Sequence, residues 1–193
     1  MLSKEEKTIL LALAREAVAC AARMDRLPAV DLESLSERLR REGASFVTLN
    51  KHGRLRGCIG SLEARQPLAL DVQQNAEGAA ARDPRFPRGV PDELEALTVE
   101  VSVLSHPEPL SYQGIDDLCD KLRPRVDGVV IERGWQRATF LPQVWEKLRD
   151  EREFLHRLCL KAGLTSNALA RGDVDVYTYQ VEEFCEEEAV GRP

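Results

Sequence analysis

The chain contains no Cys-x-x-Cys pair. Its cysteines, Cys20, Cys58, Cys119, Cys159 and Cys185, are odd in number and widely scattered, so neither a disulfide framework nor a structural zinc site is expected. No apolar run approaches the length of a membrane span, and none follows a signal-like basic region. A cytoplasmic protein without a membrane segment is therefore expected. There is no basic excess either. The formal net charge is −6, which argues against a dedicated nucleic-acid binder. Internal repeats and low-complexity stretches are absent. What is present, 193 residues with 43% apolar and 31% charged side chains, reads as one globular domain over residues 1–193.

The charge is unevenly placed. Lys51, Arg54, Arg56, Arg65, Arg82, Arg85 and Arg88 crowd the middle of the chain, and Glu182, Glu183, Glu186, Glu187 and Glu188 crowd its end. A basic middle attracts an anionic small molecule or a phosphate backbone locally. Equally, its arginines solvate helix and loop surfaces.

Ser3 and Glu6 form a capping box, and Ile9, Leu10, Leu13, Ala17, Cys20 and Met24 repeat at helical spacing. The first helix is thus predicted to reach Met24, with Cys20 in the core. A short helix is predicted over 34–42. Ala44 to Asn50 reads as a strand, Lys51-His52-Gly53-Arg54 as a hairpin turn, and residues 55–60 as the return strand. Gln66 to Arg82 reads as an Ala-rich helix stopped by Asp83-Pro84-Arg85-Phe86-Pro87. Leu97 to Leu104 alternates with Val99, Val101 and Val103 inward, and Pro107 and Pro109 stop it. A helix at 115–122, a hairpin of 128–132 and 136–141, a helix from Pro142 to Arg149, another ended by Gly163, and a closing strand 173–184 complete the reading. Hairpins and helices without strict alternation predict an α+β fold, a mostly antiparallel sheet flanked by helices.

The segment Leu55-Arg56-Gly57-Cys58-Ile59-Gly60 (LRGCIG) concentrates the candidate chemistry. Strand alternation places Leu55, Gly57 and Ile59 on a core face and Arg56 beside Cys58 on the other. A guanidinium next to a thiol favours the thiolate, which attacks electrophiles, and His52 in the adjoining turn would complete a Cys-His pair. Gly57 and Gly60 admit a close ligand or another backbone. Cys58 is thus a catalytic nucleophile, a ligand contact, or a small residue chosen for packing. In the second candidate segment Asp83 satisfies backbone donors of a turn, Phe86 anchors it, and Arg85 is left to meet a phosphate or carboxylate together with Arg56; the alternative is a purely structural turn. Gln143 and Lys161 are weaker binding candidates; Lys161 sits where a helix C-terminus favours a cation anyway. His156 and Cys159 are three apart on one helix, but without further ligands no metal site is expected, and no cofactor.

Phe46-Val47-Thr48-Leu49, the stretch Leu55 to Gly60, Asp83-Pro84-Arg85-Phe86-Pro87, Glu93-Leu94, Val99 to Leu104, Leu141-Pro142-Gln143-Val144 and Lys161-Ala162-Gly163-Leu164, in that order, resemble the AMME-syndrome chromosomal region domain. Its bacterial and archaeal members are called AmmeMemoRadiSam system protein A. The resemblance covers about residues 10–184. It implies two lobes, a larger and a smaller subdomain, with a cleft between them lined partly by the glycine-cysteine motif. It also implies genetic association with a Memo-type protein and a radical S-adenosylmethionine enzyme. Many relatives have His-Gly where this chain has Asp127-Gly128, so no role of that histidine carries over. The resemblance brings no assigned reaction. The combined reading is an enzyme or enzyme subunit in a modification pathway that binds an anionic substrate near Arg56, Cys58 and Arg85. The alternative is a non-catalytic adaptor for those partners, and a third reading is RNA binding through the basic middle.

Overall fold

The computed structural model describes residues 1–186, so Glu187 and Glu188 of the acidic run lie outside the described residues. The chain divides into two units, one of residues 1–104 with the segment from 182 onward, the other of residues 105–181.

The first unit begins with α1 (Lys4–Arg23), whose start is the expected capping box. Ser3 accepts the Glu6 N–H, and the Glu6 carboxylate accepts the Ser3 N–H. Its buried stripe is Leu10, Leu11, Ala14, Ala17, Val18, Ala21 and Ala22. Cys20 is only half-buried, and Met24, at φ 61° in the left-handed cap, is 77% exposed. The buried stripe passes beside Cys20 and ends at Ala22, and Met24 lies beyond it in the C-cap, where the left-handed backbone leaves the helical repeat. Instead of one helix over 34–42 there is a 3-10 turn at Leu32–Ser34 and a single turn, α2 (Glu37–Arg40).

Then follow β1 (Ala44–Lys51), β2 (Arg54–Gly60), α3 (Leu68–Ala81) and β3 (Leu97–Leu104). Val99 and Val101 are fully buried and Val103 nearly so, as the alternation of β3 requires. Helices α1 and α3 pack on each other and on the Val47, Leu49, Val99 and Val101 face of the sheet. A polar knot lies inside this core. The buried Asp71 carboxylate accepts from the hydroxyls of Ser45 and Ser61, both at 2.6 Å, and from the Asn75 amide at 2.9 Å. It ties α3 to β1 and to the exit of β2.

The second unit holds β4 (Glu108–Pro109), α4 (Ile115–Lys121), β5 (Gly128–Arg133), β6 (Gln136–Phe140), α5 (Glu151–Lys161) and β7 (Asp175–Tyr179). The order β4-β7-β5-β6 is antiparallel throughout. Pro109 sits in β4 at the sheet edge, where a missing N–H is tolerated. The segment after Pro142 is a 3-10 turn, Pro142–Glu146, rather than a helix to Arg149. It buries Trp145, which stacks on Phe154 of α5 at 3.7 Å.

The closing strand of the sequence reading is two strands. Residues 175–179 form β7, while β8 (Val181–Cys185) joins the other sheet in the order β2-β1-β3-β8. Gln180 is the break. Its N–H donates to the Ser105 hydroxyl, and its carbonyl accepts the Ser105 N–H, so its backbone is withdrawn from both ladders. The α+β class and antiparallel pairing hold, with two sheets in place of one.

Candidate functional site

Strand β2 forms an edge of its sheet. Alternate residues of an edge strand turn N–H and C=O toward no neighbour, a liability that folds cover. At Cys58 the cover is a pair of side chains. The Cys58 N–H donates to Asp83 Oδ2 at 2.8 Å, and Arg85 Nη2 donates to the Cys58 carbonyl at 3.3 Å. Asp83 also accepts the Arg85 N–H (3.0 Å), Nε (2.9 Å) and Nη2 (2.7 Å). The Asp-Pro-Arg-Phe-Pro segment thus supplies the missing strand partner. Asp83 is buried, its side chain 2% exposed, whereas that of Arg85 is 54% exposed.

Electrostatics follow the geometry. The hydrogen bonds from Arg85 outweigh burial and, with the Cys58 N–H, hold the Asp83 carboxyl well below the usual carboxylate range. Reciprocally Asp83, and more weakly the Cys58 side chain, hold the Arg85 guanidinium above its ordinary value. The half-buried Cys58 thiol accepts the Thr48 hydroxyl at 3.4 Å. Cys58, Thr48, Asp83 and Arg85 form one cluster.

Arg56 is not the thiol's arginine. The register pairs Asn50 with Leu55 but Leu49 with Gly57, so Arg56 is the extra residue of a bulge, and alternation is broken there. Leu55 is consequently 43% exposed, and the Arg56 guanidinium goes to Glu93, with Nε and Nη2 at 3.2 and 2.8 Å from its two oxygens. The Cys-His pair is not assembled either. Cys58 lies opposite Thr48, four residues before His52, about 13 Å along a strand.

The motif glycines are spent on packing. A Cβ on Gly57 would stand 2.1 Å from the Ala79 carbonyl of α3, and one on Gly60 2.2 Å from the Phe46 ring. Gln143, exposed in the 3-10 turn, and Lys161 belong to the second unit. The Lys161 ammonium donates to the Thr139 carbonyl at 2.9 Å and lies 5.0 Å from the centre of the Phe140 ring. Asp127 is buried and accepts from Arg123 and Gln180. Burial pushes its carboxyl up, but these hydrogen bonds together leave it below its ordinary value. His156 is exposed while Cys159 is buried, and no group of metal-binding side chains occurs among the described residues.

Two members of this region escaped the sequence reading. Counting back from the two-residue turn sets Val47 opposite Cys58; only the bulge brings Thr48 there. Glu93 carried no periodic signal. Its carboxylate, gripped first by Arg56 and then by Lys51 (2.8 Å), is lowered from 4.5 to about 2. A depressed carboxylate contributes fully above its unfolded value and loses the contribution as pH falls through the folded one. The stability gap between wild type and Glu93→Gln should therefore be level from neutral pH to about 4.5, on the order of 3 kcal/mol at most. It should close toward pH 2 in urea-unfolding titrations.

The basic middle is largely neutralised where it stands. Lys51 and Arg56 pair with Glu93, Arg65 with Glu63, Arg82 with Glu77 and Arg85 with Asp83, and Arg88 donates to the Ala21 carbonyl at the end of α1. Arg54 alone of the seven lacks a partner among the described residues. A depression of about 370 Å³, lined by Arg15, Ala19, Arg23, Leu94, Glu95 and Leu97, includes none of the candidate residues.

The AMMECR1 family profile matches residues 11–184. A protein of Methanothermobacter thermautotrophicus is 40% identical over 190 residues, 96% of this chain and 97% of its own. One from Thermofilum pendens is 39% identical over 196 residues, covering 96% and 92%. The crystal structure of an uncharacterised protein from Pyrococcus horikoshii superposes with a TM-score of 0.75 at 34% identity, over 95% of this chain and 92% of that one.

Proposed function

The chain belongs to the AMMECR1 family, and on that premise we propose that it is an enzyme or enzyme subunit of a modification pathway, binding an anionic substrate at Cys58 and Arg85. One observation carries this reading. A buried carboxylate fixes the Arg85 guanidinium, half-exposed, on the backbone carbonyl of a residue whose thiol receives a hydroxyl hydrogen bond. In this role Cys58 is the nucleophile, Thr48 donates to its sulfur, Arg85 meets the anion, and Asp83 positions Arg85. Arg56, held by Glu93, braces the strand.

Iodoacetamide tests the thiol. Cys20 and Cys185 are half-buried like Cys58, so exposure alone gives the three similar rates. The expected result is that Cys58 outpaces both by on the order of tenfold, with Cys159 protected by burial, and that Cys58→Ser removes the fast phase without changing the melting temperature. Equal rates at Cys20, Cys58 and Cys185 contradict it.

A second reading, a binding module for a Memo-type or radical S-adenosylmethionine partner, is favoured by Trp135. It stands 92% exposed in the turn between β5 and β6, and exposed tryptophans anchor interfaces disproportionately. Trp135→Ala should weaken capture of either purified partner by about tenfold or more; absence of wild-type affinity for both ends this reading.

A further inference from the structure

The two edges of the Arg85 fork are not equivalent. Nε and Nη2 face Asp83, and Nη2 also reaches the Cys58 carbonyl. Nη1 makes no hydrogen bond among the described residues, on a side chain 54% exposed. The open part of the guanidinium is therefore one nitrogen, not a bidentate edge. The charge around it is equally restricted. Arg85 and Asp83 cancel as a pair, and Arg56, the other arginine of the motif, is committed to Glu93. An incoming anion meets one partly cancelled positive charge with a buried carboxylate directly behind it.

We propose that Arg85 selects a single carboxylate in preference to a phosphate, so that the ligand is a small monocarboxylic acid whose reactive carbon lies against the Cys58 sulfur. This rests on the reading of Cys58 and Arg85 as one site. A phosphate dianion brings a second charge and three acceptor oxygens. That second charge is repelled by the Asp83 carboxylate behind Arg85, and the oxygens find one open donor nitrogen. A carboxylate needs one charge and one donor. Its neighbouring carbon, one bond away, then falls within reach of a thiol on the same residue whose carbonyl Arg85 holds.

The charged and neutral forms of one alkylating reagent separate the possibilities. With iodoacetate or iodoacetamide the sulfur forms a bond to the CH2 carbon, the carbon–iodine bond breaks, iodide leaves with the electron pair, and the thiol proton passes to buffer. Only the charge beside the reacting carbon differs. Rates at Cys58 are read by mass spectrometry on the whole chain, with 2-mercaptoethanol and the half-buried Cys20 and Cys185 as references. The iodoacetate-to-iodoacetamide ratio at Cys58 should exceed that of the references by on the order of tenfold. It should fall to the reference in Arg85→Gln and by a lesser factor in Arg85→Lys, which keeps the charge but not the planar fork. Acetate should slow the reaction more than phosphate at equal ionic strength. A reference-like ratio with fast iodoacetamide labelling overturns the carboxylate selection while leaving the thiol reading intact, as does better protection by phosphate. A Cys58 inert to both reagents overturns the two together. The wild-type ratio decides the matter even if the Arg85 variants fail to fold.

Discussion

Gly57→Ala should be the most damaging single methyl group in the first unit. Its Cβ would lie 2.1 Å from the Ala79 carbonyl oxygen and 3.1 Å from the carbonyl carbon. Both belong to the backbone of α3, which cannot rotate aside as a side chain does. Relief requires β2 and α3 to separate, and α3 is held by the Asp71 knot and by its packing on α1. Overpacking of this kind costs about 3 kcal/mol or more, enough to lower the melting temperature by roughly 10 °C. Gly53→Ala is the control. Gly53 has φ +74° and nothing within 4 Å, so only backbone strain applies, about 1 kcal/mol. Equal melting temperatures for the two variants would mean that α3 does not lie on Gly57.

Asp83→Ala carries the second large effect. The carboxylate accepts from the Cys58 N–H, the Arg85 N–H and two guanidinium nitrogens. Its removal strands a sheet-edge N–H and frees Arg85. Losing a buried charged acceptor costs about 3 kcal/mol, reduced here because water reaches the half-exposed guanidinium. Asp83→Asn, which keeps an acceptor for Cys58, should lose less. The pH sign is that of a depressed carboxylate. The difference between wild type and Asp83→Ala is fully present above pH 3.8 and fades only below it. Urea-unfolding midpoints from pH 7 down to pH 3 check this; a gap that vanishes near pH 5 would show the ion pair to be absent.

Much of this is legible in the chain itself. The capping box at Ser3 and Glu6, the alternation of Leu97 to Leu104 and the stop at Asp83-Pro84 are local signals, and each appears where local physics puts it. Asp83 as a satisfier of backbone donors was also legible, since an aspartate after a helix does this routinely. The failures are non-local. Strand alternation holds only while the register is uninterrupted, and a bulge at Arg56 has no sequence signature of its own. It turned Leu55 outward, sent Arg56 to Glu93 and brought Thr48 to the sulfur. Gly57 and Gly60 signal room for a ligand or a backbone. Which one depended on where α3 lies, a tertiary fact. Gln180 divides the last strand because Ser105, 75 residues away, captures its backbone. A Val- and Tyr-rich run cannot announce that it changes sheets.

The bulge sends Arg56, the neighbour of Cys58 in sequence, to Glu93, and leaves Arg85 as the neighbour of Cys58 in space. Arg56 is 12% exposed and carries its own counter-ion, whereas Arg85 offers an open nitrogen at the surface.

The most direct measurement is an acetate titration of the full chain followed by backbone amide shifts. Saturable shifts centred on the amides of Cys58 and Arg85 are expected, abolished in Arg85→Gln and retained in Cys58→Ser. Shifts that do not saturate, or that gather around Arg15 and Arg23 and leave Cys58 unmoved, would contradict the claim that Cys58 and Arg85 form one anion-binding site.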